Sequence, residues 1–473
     1  MPRSTSMNDN TTPPAPQITA VPTARPDRLG WMRRSLTFRA IVVGILVLLL
    51  LIPLSMVQDL IGERAQRKSE AEADISQTWG GPQTITGPII DVPYEVPVQA
   101  TAPDGSRLIA RTDIHYAHFL PEELKAEAVL DPFEKHRGIY DVAVYGSHTT
   151  LSGSFAPLSP ERLNTGYPLQ WDKAKLVLGI SDLRSIKEQV SVRIGDRTVQ
   201  FEPGLPNYEL VASGLSADFP LDSTMLGRPL EFTSDLTING SVSYDLVPVG
   251  KVTRLHCTST WNDPSFHGAY LPNPQDSARS SAPGFSADWT VLHLNRPYPQ
   301  EFSGDRREEF DASAFGVWLM QPVDEYQNNT RASKYGVMLI VLVFLVFFFV
   351  EVLQKLRIHP IQYLLVGFAL CIFYTLLIAI SEHLGFGMAY ILSGVAVIGL
   401  VVLYAHSVFQ VKRASQLLGL IMLLVFGFMF ALIHEQDYAL LFGSIGLFIV
   451  LALVMWVSRR IDWNGARDGA PVS

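Results

Sequence analysis

Six stretches of the chain run for about twenty residues with almost no charge, and they set its organisation. The first is FRAIVVGILVLLLLIPLSMV, residues 38–57. The others are Tyr335–Leu353, Ile361–Ser381, Met388–Val408, Gln416–His434 and Tyr438–Val457. A bilayer core of about 30 Å needs about 20 apolar residues in a helix, so each run predicts a membrane-spanning helix. Between the first and second runs lies a long polar region, residues 58–334, with a different pattern. Apolar and polar positions alternate there, as in VSVRIGDRTVQF around Gly195-Asp196, where Val190, Val192 and Ile194 share one face. Alternation of this kind predicts half-buried strands.

Turn signals divide the strands. Asn239-Gly240 in DLTINGSVSYDLV reads as a hairpin turn, and Asp104-Gly105 marks another. DWTVLHLNRPYPQ reads as a strand ended by Pro297 and Pro299. The economical fold for this region is an antiparallel sandwich or a pair of stacked sheets. The segment ERAQRKSEAEADISQTW, from Glu63, continues the first span as a helix. The fold class expected is therefore an α-helical polytopic membrane protein of six transmembrane helices with a large β-rich, sandwich-like external domain.

Composition agrees with this division. The apolar fraction is 48% and the charged fraction 17%, against about 25% charged in an ordinary soluble protein. Residues 58–334 hold 24 Lys and Arg against 37 Asp and Glu, leaving 13 basic and 8 acidic residues for the rest of the chain. An acidic external region does not suit nucleic acid, which asks for a basic face. Residues 1–29, with TTPPAPQ and VPTARPDR, have too little apolar surface to order and read as a disordered tail. Residues 458–473 read as a short C-terminal tail. The first apolar run is long, follows a long tail and lacks an A-x-A-type cleavage site, so it reads as an uncleaved signal anchor.

Basic residues in short loops mark the cytoplasmic side. Arg33, Arg34 and Arg39 precede span one, Lys355 and Arg357 follow span two, Lys412 and Arg413 follow span four, and Arg459 and Arg460 follow span six. The opposite loops, EHLGFG and EQD, hold no Lys or Arg. Both termini are expected inside and residues 58–334 outside.

Candidate chemistry is sparse. Two cysteines, Cys257 and Cys371, lie in different regions and offer no disulfide framework. His115 and His118 are spaced HxxH, but in a strand residues three apart face opposite ways, so both read as ordinary surface histidines. His434-Glu435-Gln436-Asp437 lacks the second histidine of a metalloprotease helix. GFSAD, residues 284–288, has Asp288 where a nucleophile elbow has glycine, and reads as the start of a strand. WGGPQTITGP, residues 79–88, lacks the Lys-Ser/Thr of a phosphate loop and reads as a turn opening the external domain. Ionisable residues of the spans, Glu351, Glu382, His383 and His406, sit near helix ends. Ala389 with Ser393, and Gly443 with Gly446, suit close helix packing. His359, between Arg357 and Pro360, reads as a cytoplasmic turn whose proline starts span three. No catalytic, cofactor-binding or metal residues are expected.

Several long blocks resemble the inner-membrane protein CreD family. They are LRIHPIQYLLVGFALCIFYTLLIAISEHLGFGMAYILSG from Leu356, WGGPQTITGPIIDVPY, FEPG at Phe201–Gly204, LVPVGK around Pro248, WNDPSFHGAYLP from Trp261, GFSADWTVLHLNRPYPQ from Gly284 and FGVWLMQPVDEYQ from Phe315. The resemblance covers residues 36–460. It implies a Gram-negative inner-membrane protein with a large periplasmic domain, associated with envelope integrity, colicin tolerance and a β-lactam response under a two-component regulator. It brings no catalytic or ligand-binding residues to carry over. The expected function is non-enzymatic support of the envelope, with the lipid bilayer and an unidentified envelope protein or peptidoglycan-related component as partners. A transporter or channel built on spans three to six, with Glu382, His383 and His434 at its outer mouth, is the alternative; a periplasmic hydrolase comes third.

Overall fold

The computed structural model describes residues 36–101, 107–158, 163, 165–274, 284–319, 325–354, 356, 358–409, 411–434 and 438–459. The N-terminal tail with Arg33 and Arg34, the C-terminal tail from Arg460 onward, the Asp104-Gly105 turn, Lys355, Arg357 and Glu435-Gln436-Asp437 lie outside the described residues. The chain divides into two compact units, one of residues 60–328 and one formed by residues up to 59 together with those from 329 onward.

The first helix, Leu36–Trp79, runs without interruption through the apolar run and the charged segment after it. Its polar half carries pairs one turn apart, with Arg67 at 2.6 Å from Glu63 and Lys68 at 3.9 Å from Glu72, which add a few tenths of a kcal/mol each. It ends at Trp79, whose ring lies under the Lys135 ammonium, 3.7 Å from the ring centre. Gly80 (φ 142°) then turns the chain, and a side chain there would press against the Asn239 carbonyl.

Sixteen strands follow among the described residues: β1 Gln83–Thr101, β2 Arg107–Phe119, β3 Glu123–Arg137, β4 Tyr140–Phe155, β5 Lys175–Ile180, β6 Ser191–Ile194, β7 Arg197–Gln200, β8 Glu202–Pro203, β9 Gly214–Asp218, β10 Leu230–Ser241, β11 Ser243–Leu246, β12 Val252–Ser259, β13 Pro264–Gly268, β14 Phe285–Leu292, β15 Glu301–Ser303 and β16 Phe315–Leu319. One sheet runs β13-β16-β11-β1-β5-β9-β8, with β2 on β1 and β15 on β2; the other runs β14-β12-β3-β4-β10-β6-β7. Both contribute to one core, where Ile85, Ile89 and Leu176 of the first meet Leu124, Leu151, Leu236 and Trp289 of the second. The stacked sheets are as expected, but they are mixed rather than antiparallel, because β1 pairs with β11 and β3 with β12 in parallel. Those partners are far apart in sequence, and alternation alone carries no strand direction. Along β3, Leu124, Ala126, Ala128 and Leu130 point inward and their neighbours outward, the period-two pattern of a sheet with one wet face.

The Gly195-Asp196 hairpin forms as read, with Ile194 opposite Arg197 and Gly195 at φ 57°. Asn239-Gly240 does not form a hairpin. Both residues continue β10 beside β4, and the chain then crosses to the other sheet at Val242, which adopts φ 66°. The β14 strand begins at Phe285 as expected, but ends at Leu292, where a short 3-10 turn, His293–Asn295, takes over ahead of Pro297.

The second unit is helical. Among the described residues, five helices are long and apolar enough to cross a membrane: Leu36–Trp79, Gly336–Leu353, Pro360–Phe409, Lys412–His434 and the last, ending at Ser458. The third and fourth expected spans form one 50-residue helix, interrupted only at Gly385, whose φ 75° and ψ 158° are not helical. The expected EHLGFG loop thus contracts to a single residue. Small residues admit neighbours as anticipated: Ala389 and Ser393 are fully buried, and a side chain at Gly446 would overlap the Phe428 ring.

Candidate functional site

The most concentrated group of buried charges in the β unit surrounds His118. The residue lies at the end of β2, opposite Asp91 of β1 in the strand register. Its Nδ1 is 2.7 Å from Asp91 Oδ1 and its Nε2 is 2.9 Å from Glu209 Oε2. Asn207 Nδ2 donates to the other Asp91 oxygen at 2.8 Å, and the Glu209 N–H donates to Asn207 Oδ1 at 3.0 Å. The His118 side chain is fully buried, whereas Glu209 is 25% exposed. Burial by itself lowers the imidazole pKa, but the Asp91 charge and the hydrogen bonds to Asp91 and Glu209 outweigh it, and the ring is pushed up to about 9. His118 is therefore an imidazolium at neutral pH, with both N–H groups donating to carboxylates.

This corrects the reading of His118 as a surface histidine. The HxxH pair does split between faces, and His115 stacks on Tyr94 at 5.7 Å. Sequence reasoning overlooked Asp91, Asn207 and Glu209. One signal was present: in IIDVPY an acid sits inside an apolar run, and a buried carboxylate needs a cation. The partner could not be named, since Glu209 lies 91 residues from His118. The Arg306 N–H donates to the Glu209 carbonyl at 3.0 Å, so the cluster also fastens the chain ahead of helix Arg307–Ser313. With both ring nitrogens engaged, His118 clamps the 204–213 loop to the sheet rather than acting as a base.

A second histidine pair lies near the edge of the same sheet. His267 of β13 places Nε2 at 2.9 Å from Asp245 Oδ1 of β11, and its ring stacks on Trp318 of β16 at 4.4 Å. The Ser243 hydroxyl donates to the other Asp245 oxygen at 2.8 Å. Burial raises the Asp245 carboxyl above its usual range against the lowering effects of His267 and Ser243. Because the serine bonds the carboxylate and not the imidazole, the three do not form a nucleophilic relay.

Arg296, in the NRPYPQ stretch, is buried and donates to the carbonyls of Tyr298, Val249 and Gly250 and to Gln300. Burial pulls its pKa down to about 10, and it acts as a staple between loops. Cys257 is buried, and burial pushes its thiol up to about 12, which leaves it unreactive. Ser286 of GFSAD belongs to β14, with no strand-to-helix elbow. Among the described residues, no group of three or more His, Cys, Asp and Glu side chains is arranged to hold a metal ion.

In the helical unit, Glu351 is more than a polar helix end. Arg39 Nη1 lies 3.0 Å from Glu351 Oε1, and the Tyr363 hydroxyl donates to Oε2 at 2.8 Å, joining three helices at one carboxylate. Asn329 Nδ2 donates to Ser381 Oγ at 2.8 Å. His434 ends its helix with its ring stacked on Phe430. His359 caps the helix that begins at Pro360. Its carbonyl accepts from the Gln362 N–H, its Nδ1 accepts from the Ile361 N–H, and its own N–H donates to Gln362 Oε1. That reciprocal cap accounts for its place in the turn.

These features define a polytopic membrane protein with a two-sheet β unit between its first two membrane helices. The family described as Inner membrane protein CreD matches residues 35–464. The Inner membrane protein CreD of Escherichia coli (strain K12) is 34% identical over 421 residues, covering 88% of this chain and 91% of the relative. The chain belongs to the CreD family and is a multi-pass inner-membrane protein.

Proposed function

We propose that the chain supports cell-envelope integrity, within an envelope-stress or β-lactam response, as a non-enzymatic binding protein. Its β unit faces the periplasm and engages an envelope protein or a peptidoglycan-related component, while both termini remain cytoplasmic. The observation that carries this reading is the state of the β unit's buried histidine. His118 is an ion-paired clamp, fully buried and bonded on both nitrogens, which suits architecture for binding more than proton transfer. The orientation is supported by Arg39, Lys412, Arg413 and Arg459 on one side and by the absence of Lys and Arg from the EHLGFG and EQD segments on the other. Six crossings are supported by the Gly385 interruption. It leaves two helical halves, each about 36 Å long at 1.5 Å per residue, enough for a bilayer core.

That interruption also supports a second reading. Broken membrane helices build substrate sites in transporters, and Ser381, Glu382 and His383 lie just before Gly385. A rescue experiment separates the two. A strain lacking the protein receives either the full chain or a form ending at residue 357, and is scored for detergent and β-lactam sensitivity after protease protection has confirmed insertion. Rescue by the short form supports the binding role of the β unit. Rescue by the full chain alone transfers the function to the later spans.

A further inference from the structure

His118 holds two carboxylates with two protons. Its Nδ1 faces Asp91 at 2.7 Å and its Nε2 faces Glu209 at 2.9 Å. Each contact is a charged hydrogen bond only while that nitrogen carries hydrogen. A neutral imidazole has one N–H and one lone pair. When the ring gives up its second proton, one of the two carboxylates is left facing a lone pair, and that contact turns repulsive.

The surroundings decide which contact fails. Asp91 is 2% exposed, lies within β1 and takes a further bond from Asn207 Nδ2 at 2.8 Å. Glu209 is 25% exposed and lies in the loop joining β8 to β9, so water replaces the imidazole once it turns outward. The remaining proton therefore stays on Nδ1, and Glu209 leaves. The ends of the loop hold, because the Gly204 N–H donates to the Gly214 carbonyl at 3.1 Å and Leu210 is buried. Movement is confined to the corner at Tyr208 and Glu209. That corner keeps two ties, Asn207 on Asp91 and the Arg306 N–H on the Glu209 carbonyl at 3.0 Å.

The groups packed around the ring do not offset the loss. Phe302 of β15 lies 5.2 Å from it and carries no charge. The Tyr116 hydroxyl, two residues back along β2, is pushed up by burial and by the Asp91 and Glu209 charges, so it stays neutral. Lys175, opposite Asp91 in register, is 2.7 Å from Asp218, and the Arg306 side chain is 2.7 Å from Glu309. Each of those cations already has a carboxylate of its own.

We propose that the His118–Glu209 contact is a proton-controlled latch on the 204–213 loop. It is closed while both ring nitrogens carry hydrogen and open when Nε2 loses its own, so that the exposed Tyr208 is held in one pose only in the closed form. The inference goes beyond the envelope role and does not depend on it.

Electron paramagnetic resonance of a nitroxide on Tyr208→Cys, in the full-length protein in nanodiscs, reads the latch. Cys257 and Cys371 are buried, which keeps the label single, and both partners of the contact stay in place. Between about pH 7 and 10 a mobile component should grow into the larger share of the spectrum. Its midpoint is expected at about pH 9, where the ring loses its second proton. A label on Leu294→Cys, 79% exposed elsewhere in the β unit, should keep its spectrum throughout. Glu209→Gln separates the latch from other causes. Its amide accepts from an Nε2–H and donates to a bare Nε2, so the mobile component should stay minor over the whole range. Glu209→Ala should show that component at every pH; should it fail to fold, glutamate against glutamine still decides. An unchanged spectrum at position 208 overturns the proposal, as does an equal transition in Glu209→Gln. A simultaneous change at Leu294→Cys also overturns it, since the whole unit would then be unfolding rather than one loop loosening.

Discussion

The Tyr145 hydroxyl donates to the Ser243 carbonyl across 2.6 Å, bridging the two sheets at the point where the chain passes from β10 to β11. Tyr145 is fully buried, and its ring occupies the space that a side chain at position 240 would need. Gly240 is therefore required for this close approach, although the residue sits within a strand. Gly240→Ala should destabilise the β unit by about 1–3 kcal/mol, the cost of overpacking a rigid aromatic. Tyr145→Phe should cost about 1 kcal/mol for the lost hydrogen bond. Thermal unfolding of the full-length protein, followed by near-ultraviolet circular dichroism, separates the two; an unchanged melting temperature for Gly240→Ala would remove the packing argument.

The His118 clamp gives the β unit a pH dependence with a definite sign. An unfolded histidine titrates near 6.5, and the folded residue at about 9. A raised pKa contributes stability that is fully present below the unfolded value and is lost as pH climbs through the folded one. The shift corresponds to on the order of 3 kcal/mol. Melting temperature should fall progressively from pH 6.5 to above 9. In His118→Gln the lower stability should show at neutral pH, with the slope over this window flattened. An equal slope in the variant would mean that other groups produce it.

In the helical unit, Arg39 and Glu351 form an ion pair with the carboxylate 4% exposed. Breaking a buried pair from one side costs about 3–5 kcal/mol, because the remaining charge is stranded. Arg39→Ala should lower the yield of folded protein more than the double variant Arg39→Ala/Glu351→Leu, in which no charge is left buried. Detergent-stability assays on the three proteins check this order, and equal losses in both variants would contradict it.

Gly385 occupies a region of backbone space open almost only to glycine. Gly385→Ala should cost about 1–3 kcal/mol. Alanine at Gly387, two positions away, meets no atoms within 4 Å and should be close to neutral. Comparable stability of the two variants would show that the interruption is not fixed by this residue.

Much of this architecture was legible from the chain alone. The apolar runs and the charged segment after Val57 located the helices, because length and lack of charge suffice for that. The Gly195-Asp196 hairpin was legible because both strands are adjacent in sequence. Asn239-Gly240 misled because the glycine serves Tyr145, nearly a hundred residues away, rather than a turn. The parallel pairs β1–β11 and β3–β12 depend on distant partners that no local pattern encodes. The His118 cluster was hidden for the same reason, although Asp91 within IIDVPY signalled a buried charge in need of a cation. Arg39 was read as a loop charge marking one membrane side, and it additionally pairs with Glu351.

The proposed function places the β unit in the periplasm, and thiol labelling tests that placement directly. Cys257 and Cys371 are both buried, so a single added cysteine reports its own surroundings. Tyr208→Cys places a thiol at a site 65% exposed in the β unit, and Val411→Cys places one between two helices of the other unit. In intact spheroplasts a membrane-impermeant maleimide should modify Tyr208→Cys at once and Val411→Cys only after permeabilisation. Protection of Tyr208→Cys until permeabilisation would put the β unit in the cytoplasm and contradict the proposed role.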